Sequence, residues 1–479
     1  MLAVLLVGAF MPTLDFFIVN VAVPSMTEDL RATSGEIELV VAVYAIVYAS
    51  LVVLGGRLGD HWGRKKTFVV GIALFTATSA MCGSAPDVWW LICARALQGG
   101  AAVVLFPQVL ALIQLHYPPA VRPRAMRLYG LATGGAMATG QLIGGLLISL
   151  DWLGLSWRWA FLVNLPIGVL TLILAPRLLP ATGGQGGLRI DRTGVLLFAV
   201  AMVLLVVPLT VGRSAGWPGW TLFMLLGAAV LLPGFWLWER RTEALGRDTL
   251  LPPSLLRTGT LRTGLLTVCA FYATMSSALY ILALLLQQGR GLSPLESGLV
   301  SSPLMVGFCA ASLASSALTA RWGATRPLKA AMWIRTAGFA AQFPLVLAAA
   351  TAVNIPVLTV LLAINGACTG AVMAPLLTLV LDDLKPAQAG AASGLLATAQ
   401  QVAGAVGLSV VGIVFHGVAA RRTPLDPAGI ATGYRHGLVY LVLMSGAALA
   451  GLSLLTRTRD AQRTAGTPAG SSRPVPSQD

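Results

Sequence analysis

Charge is scarce in this chain. Of 479 residues only 10% are Asp, Glu, Lys or Arg, and just 18 are acidic. A water-soluble domain carries about 25% charged residues, so a soluble globule of this length is excluded. Cysteine is equally sparse. Cys82, Cys93, Cys269, Cys309 and Cys368 each lie in an apolar run without paired spacing, which excludes a disulfide framework and predicts free, buried thiols. His61, His116, His416 and His436 are scattered and form no metal-ligand motif. No Gly-x4-Gly-Lys-Ser/Thr loop is present to bind nucleotide phosphates. Gly212 to Gly216 reads G-x-S-x-G, but it falls between two apolar runs rather than on a strand-to-helix turn. With no cluster of His, Cys or carboxylates inside the apolar runs, a membrane-embedded enzyme is only a remote alternative, and no cofactor or metal is expected.

What the chain has in abundance is hydrophobic length. It is 56% hydrophobic with mean hydropathy +0.81. At a window of ~20 residues, the length that crosses a bilayer as helix, fourteen spans are predicted between residues 2 and 456, with 194–211 and 330–349 the softest-edged. The chain therefore reads as an all-α integral membrane protein. Met1 opens almost directly on the first span, which lacks the basic start of a signal peptide and is too long for one, so a retained helix is expected. The net charge of +14 invites nucleic acid as a partner, but sidedness accounts for it. The even-numbered turns and the C-terminal tail hold 23 Lys and Arg, the opposite loops 7, and Arg95 and Arg335 lie inside spans. That bias predicts a multi-pass cell-membrane protein with both termini cytoplasmic and the lipid bilayer as its solvent. Neither a nucleic-acid partner nor an obligate protein partner is expected.

The turn between the second and third spans reads Gly-Arg-Leu-Gly-Asp-His-Trp-Gly-Arg-Lys-Lys from Gly56 to Lys66. It resembles the signature of the major facilitator superfamily, Gly-x-Leu-Ala-Asp-Arg-x-Gly-Arg-Lys. Gly56, Leu58, Asp60, Gly63, Arg64 and Lys65 fit, whereas Gly59 and His61 depart from it. Positive charge alone would set sidedness, so the added Asp60 and Gly63 point to a conformational latch made of Gly56, Asp60, Gly63, Arg64 and Lys65. The turn is echoed 260 residues later by Leu318, Trp322 and Gly323, with Ala320 in place of Asp60. Gly130 and Gly140 likewise recur as Gly394 and Gly404, 264 residues on. Two parallel six-helix repeats follow, with two spans left between them. This 6 + 2 + 6 layout is similar to the fourteen-helix drug:proton antiporters of that superfamily. The expected divisions are residues 1–180 for the first half, 181–258 for a linker with two extra helices, 259–458 for the second half and 459–479 for a disordered cytoplasmic tail.

An ionisable group inside a bilayer is costly and marks function by default. Asp15 is the only carboxylate placed deep within a span. Its surroundings, Leu14-Asp-Phe-Phe-Ile-Val-Asn20-Val-Ala-Val-Pro24, resemble the antiporters' first-helix motif, with Phe17 where the family has Thr. Arg95 opens Arg-Ala-Leu-Gln98-Gly-Gly, resembling the family's fourth-helix motif. At ~1.5 Å per residue both lie roughly 10–12 Å below the outer surface, level with Gln141, so a proton-coupling pair or relay among the three is permitted. The fifth span, Gly130-x3-Gly134-Gly135-x4-Gly140-Gln141-x2-Gly144-Gly145, resembles the Gly-rich antiporter helix of proton-driven exporters, with Gln141 in the family's Pro position. Close helix packing is the physical use of such glycines. Asn20, Gln98, Gln108, Gln141, Asn365, Gln400 and Gln401 are candidate walls of a central cavity. The implied function is efflux of amphiphilic small molecules by alternating access, driven by a proton gradient. The scarcity of intramembrane acids favours neutral, zwitterionic or anionic substrates. A proton-coupled nutrient importer on the same scaffold is the alternative.

Overall fold

The computed structural model describes residues 1–118, 120–150, 152–181, 183, 191–212, 216–257, 259–292, 294–323, 325–347, 353–381, 389–419 and 427–465. Long helices account for most of these, in the order α1 (Leu2–Asp29), α2 (Ser34–Trp62), α3 (Arg64–Gly83), α4 (Val88–His116), α5 (Arg122–Leu150), α6 (Asn164–Leu178), α7 (Arg192–Val211) and α8 (Gly219–Ala244). They continue as α9 (Gly259–Leu284), α10 (Pro294–Trp322), α11 (Thr325–Ala340), α12 (Ile355–Leu381), α13 (Ala389–Ala419) and α14 (Pro427–Ala465). Among the described residues no strand is present. Backbone groups in hydrocarbon must be satisfied within the segment, and a helix does this with its own ladder.

Twelve segments of the described residues are long and apolar enough to cross a bilayer. The long helices outside that set are α5, in which the side chains at 138, 141, 142 and 149 lie outside the described residues, and α11, which is 16 residues long and carries Arg326, Lys329 and Arg335. Local chemistry sets the helix starts. Thr33 and Glu36 form a reciprocal capping box on α2, with Thr33 N donating to Glu36 Oε2 at 2.8 Å. Asp87 accepts from Trp90 N at 2.9 Å to cap α4, and Asp191 accepts from Gly194 N at 2.9 Å to cap α7. The echoed turns share one backbone device. Gly63 between α2 and α3 has φ +88°, and Gly323 after α10 has φ +78°, a region that side chains with a Cβ avoid.

Helices α1 to α6 pack on one another, as do α9 to α14, and the two groups meet where α2 faces α13 and α5 faces α10 and α12. The pair α7 and α8 lies against α2 and α13. Arg57 of α2 ties down the segment after α8 by donating to the carbonyls of Thr249 and Leu250. Within the expected linker region 181–258, residues 182, 184–190, 213–215 and 258 lie outside the described residues. So does the tail from 466 onward, while α14 continues to Ala465, past the expected start of that tail at 459. Of the five thiols, Cys82 and Cys368 are buried, Cys269 and Cys309 half-buried, and Cys93 exposed. The expectation that all five are buried fails at Cys93, because apolar flanking residues do not say whether a helix face meets protein or lipid.

Candidate functional site

Five helices of the first group meet around Asp15 and Arg95. Asp15 Oδ2 lies 2.5 Å from Arg95 Nη1. Its Oδ1 accepts from Gln98 Nε2 at 2.8 Å and from Asn164 Nδ2 at 3.0 Å. Arg95 Nη1 also donates to Gln98 Oε1 at 2.7 Å, and Arg95 Nε reaches the Val40 carbonyl at 3.3 Å. Gln98 Nε2 donates further to Ser79 Oγ at 2.9 Å. The guanidinium lies 4.5 Å from the Tyr44 ring centroid and 5.7 Å from that of Phe161. Asp15, Arg95, Gln98 and Asn164 are all completely buried. A buried ion pair survives only when its remaining lone pairs and protons are also matched, and here α2, α3, α4 and α6 supply those matches. The carboxylate is thus fully enclosed by protein groups.

Asp15 and Arg95 were legible in the sequence; Asn164 and Ser79 were not. Gln98 sits inside this cluster rather than on a cavity wall. The expectation for Gln108 is also corrected. Its Nε2 donates to the Gly55 carbonyl at 2.7 Å, and its amide occupies the space a side chain at Gly59 would need. It is a packing group between α2 and α4. The side chains of Asn20 and Gln141 lie outside the described residues. Gln400 and Gln401 are half-buried on α13 and take no part in the cavity described next.

That cavity, about 50 Å³ in volume and partly open, lies between α5 and the second group of helices. Gly134 and Met137 line it from α5, and Met275, Leu279, Met305, Phe308 and Phe339 give it apolar walls. Polar groups enter from Asn365, Gln342, Tyr434 and Arg335. Arg335 escaped the sequence analysis as a site residue, although its position inside a span was the available signal. The glycines of α5 divide their work. Gly130 abuts Ala374 and Ser312, and a Cβ on Gly134 would lie 1.7 Å from the Phe308 ring, so this end of the helix touches the second group. Gly140 and Gly144 instead fit against Phe17 and Ile18 of α1, and Gly145 meets only Val21 at 3.9 Å.

The turn between α2 and α3 is tightly tied. Asp60 Oδ1 pairs with Arg64 Nη2 at 2.9 Å, Arg64 Nη1 donates to the Ala111 carbonyl at 3.2 Å, and Lys65 Nζ to the Pro176 carbonyl at 2.8 Å. Gly56, Asp60 and Arg64 are buried. Asp60 Oδ2 is buried without a hydrogen-bond partner among the described residues. At the opposite end of the bundle Asp29 accepts from Trp157 Nε1 at 2.9 Å and from Arg158 at 2.7 Å. The indole bond and then the guanidinium hold this carboxyl below the usual range.

Comparison with known proteins agrees with this architecture. The model of the Major Facilitator Superfamily matches residues 5–408. A probable actinorhodin transporter of Streptomyces coelicolor is 34% identical over 87% of this chain and 72% of its own length. A puromycin resistance protein of Streptomyces alboniger is 33% identical over 99% of this chain and 94% of its own. Among solved structures, the human organic anion transporter MFSD10 superposes with a TM-score of 0.68 over 95% of this chain and 98% of its own, at 16% identity, and so speaks to the fold alone. This chain belongs to the Major Facilitator Superfamily, as a multi-pass membrane transporter rather than an enzyme.

Proposed function

We propose that this transporter is an exporter of amphiphilic small molecules that exchanges them for protons by alternating access. All fourteen long helices would cross the membrane, α5 and α11 included, as two six-helix halves with α7 and α8 between them and both termini in the cytoplasm. The observation that carries the coupling is the fully buried Asp15–Arg95 pair. A carboxylate so placed has two discrete states, ionised and paired or protonated and released, and each would favour a different packing of α1 against α4. The export direction rests on the relatives, several of which are named for antibiotic resistance or export. The Asp60 turn would act as the latch, with the spare Oδ2 of Asp60 free to accept from the other half during the cycle.

Two measurements test the reading. In everted vesicles with an imposed proton gradient, acidic inside, an exporter accumulates drug in the lumen, and an importer does not. A reporter fused after Arg457 should be cytoplasmic, and one inserted near Pro424, outside the described residues, should be external. A C-terminus on the outer side would sink the fourteen-span topology.

A further inference from the structure

The two buried arginines of this protein are treated unequally. Arg95 has a carboxylate and an amide oxygen against its guanidinium. Arg335, 2% exposed, is hydrogen-bonded by two hydroxyls, and its guanidinium lies 4.8 Å from the Phe271 ring centroid and 5.0 Å from that of Phe339. Its Nη2 donates to Thr274 Oγ1 at 2.7 Å and its Nε to Thr369 Oγ1 at 3.2 Å. Both hydroxyls already donate their protons to carbonyls, Thr274 to Phe271 at 2.6 Å and Thr369 to Asn365 at 2.8 Å. They therefore orient lone pairs at the guanidinium but bring no negative charge. Nη1 of Arg335 is buried with no hydrogen-bond partner among the described residues. Among the described residues no carboxylate lies in ion-pair range of Arg335, and the ionisable neighbour it does interact with is the Cys368 thiol.

A second orphan stands beside it. Asn365, 3% exposed, has neither amide atom hydrogen-bonded among the described residues. Its amide rests against Gly338, one turn along α11 from Arg335, and a Cβ there would come within 3.0 Å of it. Both residues line the cavity. A guanidinium N–H and an amide left unmatched in a largely apolar chamber cost stability, and a ligand that completes them recovers it. The match for a planar cation with a free N–H beside an amide N–H is an oxyanion. The walls of Met137, Met275, Leu279, Met305 and Phe308 suit a large apolar body attached to it.

We propose that Arg335 and Asn365 form an oxyanion subsite, so that the molecules this protein carries are amphiphiles bearing an ionised carboxylate or phenolate. This rests on reading the cavity as the transport path. The acid group docks between Arg335 Nη1 and the Asn365 amide, and its apolar body lies along the methionines and Phe308. Cationic drugs are excluded because they would add a second positive charge in a low-dielectric chamber.

The test is equilibrium binding to the purified full chain in lipid nanodiscs, which requires neither a gradient nor a direction of transport. Three probes share one aromatic body: 1-pyrenebutyrate, its methyl ester and 1-pyrenemethylammonium. Charge-assisted bonds of this kind should make the carboxylate bind about tenfold or more tightly than either other probe. Arg335→Gln should abolish that preference while changing ester affinity by less than about threefold, the ester making no charge-assisted bond to lose. Asn365→Asp is nearly isosteric and places a carboxylate beside Arg335, so it should also remove the preference even if the Gln variant fails to fold. Equal binding of the three probes by the wild type, binding of none, or a preserved preference in Asn365→Asp would overturn the proposal. Anion preference without uphill export in everted vesicles would retain this subsite and reject the exporter reading instead.

Discussion

Asp15 on α1 and Arg95 on α4 form an ion pair of 2.5 Å with neither side chain exposed. Eighty residues apart in sequence, they meet because both sit at the same depth on neighbouring helices. Asp15→Asn keeps the shape and removes the ionisation. Uphill export driven by a proton gradient should be abolished, while binding of the carboxylate probe stays within about threefold of wild type, because the cavity charge belongs to Arg335. Leaving Arg95 without its anion should cost about 3–5 kcal/mol of stability, visible as a lower melting temperature in detergent. Continued accumulation of drug against its gradient by this variant would mean that coupling resides elsewhere.

Gly134 and Phe308 set how closely the two halves approach. Gly134→Ala puts a methyl group where the Phe308 ring now lies. Transport should fall at least about tenfold, the cost of overpacking a tight contact. Phe308→Ala alone should cut affinity for the probes, and the double variant should recover part of the transport lost in Gly134→Ala. No recovery in the double variant would show that the ring is not what the methyl group meets.

Asp60→Asn retains a hydrogen-bond acceptor for Arg64 but removes the charge. Because the pair is almost entirely buried, a stability loss of about 1–3 kcal/mol is expected, together with a fall in transport rate of about tenfold. Substrate affinity should stay unchanged, since the turn is far from the cavity in the helix register. A wild-type rate in reconstituted vesicles would reduce this turn to a sidedness signal.

Asp29 offers a pH test outside the membrane-spanning segments. Its carboxyl is held below the ordinary value by the Trp157 indole, then by Arg158. A depressed value in the folded state contributes stability that is complete above the unfolded pKa, near 3.9, and is lost as pH falls through the folded one. Trp157 fluorescence should therefore stay constant from about pH 8 to about pH 5 and change only below about pH 4. Asp29→Asn should shift that signal at neutral pH and leave no further change on acidification.

The sequence by itself determined the solvent of this protein, its helical class, the doubled turn at Gly63 and Gly323, and the placement of Asp15 and Arg95 within apolar runs. Each of these depends on a property that a residue or a short window carries alone: transfer cost, charge, or the need for positive φ. The partners of those residues were settled only by tertiary structure. Asn164 reaches Asp15 across 149 positions, Gln98 turns into the ion cluster, and Gln108 turns into the α2–α4 seam. Arg335 was visible as a charge in a span, but nothing local showed that no carboxylate among the described residues comes to meet it. In a soluble helix the apolar stripe reports which face turns inward. A membrane helix is apolar on every side because lipid and protein core are equally apolar, so its rotation is fixed by packing against neighbours far away in the chain.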